Sequence, residues 1–204
     1  MTHREILTSA QVKFLPLLKA CAPRFGMVGG TAIALQIGHR RSIDFDLFAV
    51  ESFDAIRIRR MIRRYGAIER VLIDQAGEYT IIVKGVKLTF FHYPFKISFE
   101  KKFERVIPMA DVLTIAAMKA YALGRRAKWK DYVDLYFVMR DYQTLAEIVV
   151  KAKHIFGGEF NEKLFRATLA YFNDVDMTER IIYMPGYEVK DETIKKELTK
   201  LSVQ

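Results

Sequence analysis

The chain has 204 residues, 51% of them hydrophobic and 28% charged, which is enough apolar material for one sizeable domain or two small ones and excludes a disordered chain. Its longest uncharged run, 25–38, is 14 residues with four glycines, short of the roughly 20 apolar residues that cross a bilayer, and Lys13 and Lys19 interrupt the only candidate secretory segment. A cytoplasmic protein without membrane contact is expected. A single cysteine, Cys21, excludes an internal disulfide and a cysteine-rich metal site, leaving core packing as its expected role. The net charge of +9 favours a polyanionic partner such as nucleic acid or a nucleotide phosphate.

In chain order, Ile6, Leu7, Ala10, Phe14, Leu17, Leu18 and Cys21 recur at helical spacing, predicting a helix over 5–22 that Pro16 kinks and Pro23 ends. Residues 25–28 read as a short strand running into Gly29-Gly30, and 31–38 as a helix with Thr31 near its cap and Gly38 at its end. The next strand, 44–50, has a period of two that puts Asp44, Asp46 and Phe48 on one face and Phe45, Leu47 and Ala49 on the other. A helix over 53–65 follows, with an apolar stripe of Ile58, Met61, Ile62 and Tyr65; its arginines at 57, 59, 60, 63 and 64 read as a solvated face or as a phosphate-tracking patch.

Three further strands are predicted over 68–74, 78–84 and 86–95, with turns at Ala76-Gly77 and Lys84-Gly85. Beyond Pro94 and the charged stretch 100–105, helical periodicity covers 110–123, 130–140, 144–156, 161–173 and 191–201. The expected class is α+β: a mixed sheet flanked by helices over 1–99, then a helical bundle over 100–204 packed on that core.

The chemistry concentrates in "GGTAIALQIGHRRSIDFDLF", 29–48. Two carboxylates on one strand face lie about 7 Å apart at Cα, within reach of one or two divalent ions, and hard oxygen ligands suit Mg²⁺ or Mn²⁺. The bland alternative pairs Asp44 or Asp46 with Arg40 or Arg41, or leaves them at an exposed strand end. Upstream, Gly29, Gly30 and Thr31 end a strand and open a helix, where backbone N–H groups can approach phosphate oxygens.

Lys119 is the only charged residue between Asp111 and Arg125, on a stripe with Val112, Ile115, Ala116 and Leu123. Such an ammonium snorkels outward or meets an anion, a nucleotide phosphate or Asp44 or Asp46 among the options. Asp131 and Asp134, three apart on the next predicted helix, read either as functional acids or as partners of Arg125, Arg126 or Lys130.

The run 29–48 resembles the signature of the nucleotidyltransferase fold shared with polymerase-β-like enzymes, and in detail the AbiEii/AbiGii toxin branch. There Gly-Gly-Ser/Thr is followed by Gly-His-Arg, Ser-x-Asp-x-Asp and Leu-Phe. The segment 107–139 is similar to that family's lysine-bearing helix and its following Lys/Arg-Asp-x-x-Asp helix. The resemblance implies a metal-dependent transfer of a nucleoside monophosphate from an NTP to an RNA, tRNA-like or protein acceptor, and a cognate antitoxin as partner. It implies that Asp44 and Asp46 hold Mg²⁺ or Mn²⁺, that Gly29, Gly30, Thr31, Ser42 and Arg40 or Arg41 contact the nucleotide, and that Lys119 contacts phosphate. Asp134 or Asp131 would orient the acceptor hydroxyl.

One departure stands out. Many polymerase-β-like enzymes carry a third carboxylate on a later strand, yet 79–99 contains no Asp or Glu, and Thr89 stands where that acid is expected. His92 could help, although a lone histidine on an apolar strand is more often a packed, hydrogen-bonded residue. The sequence therefore leaves a second reading open: a nucleotide- or RNA-binding protein on a degenerate transferase scaffold. A third is an interaction protein whose basic face docks RNA without chemistry.

Overall fold

Alternating burial in the 45–49 strand is the feature around which the first half of the chain is arranged: Phe45, Leu47 and Ala49 are buried, while Asp46 and Phe48 are half-buried on the other face. In the computed structural model, which describes residues 2–204, the chain divides into two compact units, Met1–Asp111 and Val112–Gln204.

The first unit opens with a 3₁₀ turn, Arg4–Ile6, and two short helices, α1 (Ser9–Lys13) and α2 (Leu15–Cys21). The single helix expected over 5–22 is thus broken twice. Thr8 and Gln11 form a reciprocal cap that starts α1, and Pro16 sits in the first turn of α2, where its missing N–H costs nothing. Cys21 is buried as expected, and that burial pushes its thiol up to about 12.

A seven-stranded mixed sheet follows, built from β1 (Gly26–Val28), β2 (Phe45–Ala49), β3 (Ile68–Gln75), β4 (Glu78–Val83), β5 (Val86–His92), β6 (Lys101–Phe103) and β7 (Ile107–Met109), in the order β3-β4-β5-β2-β1-β7-β6. The β2–β5 and β1–β7 pairs are parallel and the others antiparallel. Helix α3 (Gly29–Ile37) links β1 to β2 and ends on Gly38 in the left-handed conformation (φ 74°). It starts two residues earlier than Thr31, with Val28 as N-cap.

Helix α4 (Ala55–Ile62) buries Ile58 and Ile62. Of its arginines, Arg59 meets Tyr79 and Asp74, Arg57 pairs with Asp54, and Arg60, Arg63 and Arg64 are exposed, as a solvated helix face requires. The outer strand β3 is exposed along nearly its whole length; its register against β4 slips twice, and Glu69, Arg70 and Asp74 interrupt its apolar residues. Bulges and charges of this kind discourage edge-to-edge pairing.

The first compact unit runs on to Asp111, and within it 101–103 and 107–109 form a hairpin whose second strand pairs with β1. Each strand is only three residues long, too short for alternation to announce itself in a charged stretch.

The second unit is helical: α5 (Val112–Leu123), α6 (Trp129–Asp141), α7 (Leu145–Phe156), α8 (Glu162–Leu169) and α9 (Asp191–Ser202). Thr144 and Glu147 form the capping box that opens α7. Helix α8 is shorter than the 161–173 expected, since the buried Tyr132 hydroxyl donates to the carbonyls of Thr168 and Tyr171 where the helix unwinds. Burial and the neighbouring Asp131 raise that hydroxyl to about 12, so it stays a donor at neutral pH. Among the described residues no helix is long and apolar enough to cross a membrane.

The irregular stretch after α8 is pinned to the start of α6. Backbone bonds run from Trp129 N–H to the Asp176 carbonyl and from Asp176 N–H to the Ala127 carbonyl, and Glu179 takes Lys128 at 3.1 Å and Lys130 at 2.5 Å. Burial alone would raise the Glu179 carboxyl, but the two ammonium groups outweigh it and hold it at about 2 against an ordinary 4.5. A depressed carboxyl stabilises above its unfolded pKa and loses that contribution as pH falls through the folded one. In thermal unfolding, Glu179→Gln is therefore expected to lower Tm at pH 6, with the gap from wild type closing as the pH falls from 4.5 to 2.

Candidate active site

Three backbone features gather the first group of polar residues. The β1–α3 junction turns at Gly29 with φ 73°, a conformation that L side chains rarely adopt. Antiparallel pairing sets Val28 opposite Asp46, and Val28, the N-cap of α3, has an apolar side chain that cannot cap the helix. The Asp46 carboxylate consequently lies against the helix start: a Cβ on Gly29 would stand 2.1 Å from Asp46 Oδ2. The positive end of the helix field favours an anion there.

Gly30 permits a second close approach, since a Cβ on it would stand 2.7 Å from Arg40 Nη2 and 3.1 Å from Ser42 Oγ. Arg40 is only 4% exposed and donates to the Arg41 carbonyl at 3.0 Å, so its guanidinium braces the loop beneath the glycines. Thr31 Oγ1 bonds Ser42 Oγ at 2.9 Å and donates to the Asp44 carbonyl. Gln11 Nε2 donates to the Ser42 carbonyl at 2.8 Å, tying the same loop to α1. Gly29, Gly30, Thr31, Arg40, Ser42, Asp44 and Asp46 are thereby brought into one cluster. Arg41 joins it through its backbone carbonyl, and its side chain is half-buried.

The sheet register places the neighbours of the two aspartates. Asp46 lies beside Thr89 of β5, which lies beside Thr80 of β4, so the row next to Asp46 holds hydroxyls and no carboxylate. Thr89, the residue expected near a third acid, is the β5 partner of Asp46 in the register. The nearest carboxylate on β4 is Glu78, which accepts weakly from Thr80 at 3.4 Å and from Gln75 at 3.3 Å. His92 is held by the Val50 carbonyl at 3.0 Å, a bonded strand residue as its setting suggested.

Lys87 was not foreseen from the sequence. Its Nζ lies 2.6 Å from Asp44 Oδ2. The signal was present in the spacing, because Lys87 and Thr89 share a strand face as Asp44 and Asp46 do, but only the β2–β5 register joins the two faces.

The donor set suits a hard divalent cation. Among the described residues no group of three or more His, Cys, Asp or Glu is gathered for a metal, so a cation here would have no more than the two carboxylates Asp44 and Asp46 and would complete its shell with other oxygens. Mg²⁺ is commonly held by one or two carboxylates plus water and substrate phosphates. Asp44 already carries a cation, the Lys87 ammonium.

The second unit carries the other predicted residues. On α5, Lys119 is buried, and its Nζ lies 2.5 Å from Asp131 Oδ1 and 2.8 Å from Asp134 Oδ2 on α6. Both aspartates are buried, Asp134 completely. Arg126 stands 3.9 Å from Asp131 Oδ2 at the rim. Lys119 therefore does not snorkel. Spacing on two separate helices left its partners open, and α5–α6 packing supplies them.

Comparison with known proteins is consistent along almost the whole chain. The family described as nucleotidyl transferase AbiEii toxin, type IV TA system, matches residues 17–200. An uncharacterized protein of Aquifex aeolicus (strain VF5) is 30% identical over 182 residues, covering 85% of this chain and 86% of its own. Among solved structures, JHP933 from Helicobacter pylori has a similar fold, with TM-score 0.59 and 17% identity over 100% of this chain and 92% of that one. MenT4, a nucleotidyltransferase toxin from Mycobacterium tuberculosis H37Rv, gives TM-score 0.60 and 14% identity over 95% and 80%.

Two substitutions test this geometry. Gly29→Ala adds left-handed strain of about 1–2 kcal/mol to a clash with Asp46, and is expected to lower Tm and displace that carboxylate, seen as lost protection of the α3 amides in hydrogen exchange. Lys119→Met strands two buried carboxylates and is expected to cost about 3–5 kcal/mol in denaturant unfolding. Adding Asp131→Asn and Asp134→Asn should recover much of that loss, and an equal loss in the triple variant would show that the charge pairing is not what matters.

Proposed function

Because the chain belongs to the AbiEii nucleotidyltransferase toxin family, we propose that it moves a nucleoside monophosphate from an NTP to an acceptor hydroxyl, with the β1–α3 junction and β2 as the site of transfer. The observation that carries this reading is the Asp46 carboxylate packed against Gly29 at the start of α3, with Asp44 immediately before the same strand.

In the reaction an acceptor oxygen attacks the α-phosphorus, a new O–P bond forms, and the bond to the bridging oxygen breaks so that pyrophosphate leaves with the electron pair. Asp44 and Asp46 would hold Mg²⁺ or Mn²⁺, which when bound supplies positive charge against the triphosphate. The α3 N-terminus at Gly29 and Gly30 offers its N–H groups to phosphate oxygens, and their lack of side chains lets the substrate approach the backbone. Thr31 and Ser42, bonded to each other, keep the loop beside that cradle in place. Arg40 adds fixed positive charge beneath the glycines, and Arg41 is the freer candidate for reaching a phosphate or the acceptor.

Lys119, Asp131 and Asp134 are the functional candidates of the helical unit, supported by the family match across their helices and by their buried ion cluster. Of the two acids, Asp134 is the first functional candidate and Asp131 the second, and Lys119 holds both out of solvent. An RNA or tRNA-like acceptor is supported by the net charge of +9 and the exposed Arg60, Arg63 and Arg64; a protein acceptor is the other option. A cognate antitoxin is the partner that family membership suggests.

One observation favours a second reading, nucleotide binding without efficient transfer: the row at Asp46 continues as Thr89 and Thr80, with no third carboxylate.

The deciding assay incubates the protein with each α-labelled NTP, Mg²⁺ or Mn²⁺, and total tRNA or a protein extract, beside Asp44→Ala/Asp46→Ala. Wild type is expected to label an acceptor, and the variant to lose about 10²-fold or more of that rate. Equal, negligible labelling by both would sink the transfer reading, and calorimetry with NTP would then measure the binding one.

A further inference from the structure

Strand alignment decides what stands next to Asp44. β2 and β5 run parallel with Phe45 beside Leu88 and Asp46 beside Thr89, so the position before Phe45 falls alongside Lys87. The Lys87 ammonium lies 2.6 Å from Asp44 Oδ2, with the lysine side chain 35% and the aspartate 20% exposed. Partial burial limits screening by water and makes this contact stronger than a fully exposed pair. Farther along the same face of β5, Thr89 stands where a third carboxylate would add another anionic ligand. Asp44, just before β2, thus meets Lys87, while Asp46 two residues on pairs with Thr89.

We infer that Lys87 is a placeholder cation, which occupies Asp44 in the absence of metal and must release that carboxylate oxygen before a divalent ion can take it. The inference rests on the reading of Asp44 and Asp46 as metal ligands. Two carboxylates facing the same way repel each other, and the ammonium relieves that repulsion while the site waits. Lysine suits the task because it is a point charge on a flexible four-carbon stem, able to swing away without moving the strand. Arginine, with its planar fork, would grip the carboxylate in two places. The metal affinity of the free protein is thus set by competition with a side chain of its own, and two aspartates paired with one lysine bind a cation more weakly than the carboxylates alone would.

The test is a titration of the full chain with Mn²⁺ alone, free ion being counted by electron paramagnetic resonance, for wild type, Lys87→Met, Lys87→Met/Asp44→Asn and Asp44→Asn/Asp46→Asn. Lys87→Met is expected to bind Mn²⁺ roughly three- to tenfold more tightly than wild type, the range that loss of a partly buried ionic competitor allows. That gain should vanish when Asp44→Asn is added. Unchanged or weaker binding by Lys87→Met, alongside a wild type that binds Mn²⁺ and a double aspartate variant that does not, overturns the placeholder and leaves the metal site standing. Absence of binding in both wild type and Lys87→Met removes the two together. Should Lys87→Met fail to fold, Lys87→Arg carries the test in the opposite direction: its firmer grip on Asp44 is expected to weaken Mn²⁺ binding, and equal or tighter binding overturns the inference.

Discussion

Everything at the site depends on Gly29 having no side chain. The turn from β1 into α3 takes a left-handed backbone conformation there, and the volume that a Cβ would fill is taken by the Asp46 carboxylate. Any other residue would strain the turn and push the aspartate off the helix start at once. With glycine in place, a strand carboxylate and the first N–H groups of a helix sit side by side, the arrangement on which the proposed cation and phosphate contacts rest. Gly30 repeats the logic one residue on, opening space for the Arg40 guanidinium and the Ser42 hydroxyl.

A second constraint is charge. Carboxylates removed from water need partners, and each unit solves this with a lysine. On the sheet, Lys87 meets Asp44 in a half-open setting where the pair can exchange partners. In the helical unit, Lys119 is locked between Asp131 and Asp134, almost fully out of solvent. The desolvation of such a buried triad can exceed its Coulombic return, and apolar residues of similar size often serve stability as well or better. The two lysines differ in freedom for a physical reason: one stands at a strand end open to water, the other amid close-packed helices.

The sheet also separates its surfaces. Phe45, Leu47, Ala49, Leu88 and Phe90 make a continuous apolar face, while Asp46 and Thr89 share the face that remains accessible. Burying five such side chains supplies far more stabilisation than the site costs, at about 1.5–3 kcal/mol for each of the larger ones.

Much of this was legible in the residues. Period-two alternation put Asp46 on the face opposite Phe45 and Leu47, two glycines before a helical stripe marked the turn into α3, and Gly38 marked the helix end, because these features are encoded by neighbours within one element. The Lys119 helix and the Asp131–Asp134 pair were legible for the same reason, and so was the class, a mixed sheet followed by helices. What sequence could not decide was partnership across elements. Lys87 reaching Asp44, Lys119 closing on Asp131 and Asp134, and the 101–109 hairpin pairing with β1 all depend on register or helix packing between distant segments. A local pattern states which way a side chain points, but the identity of what it meets is set by the tertiary alignment of strands and helices, where the cost of an unpaired buried charge selects the partner.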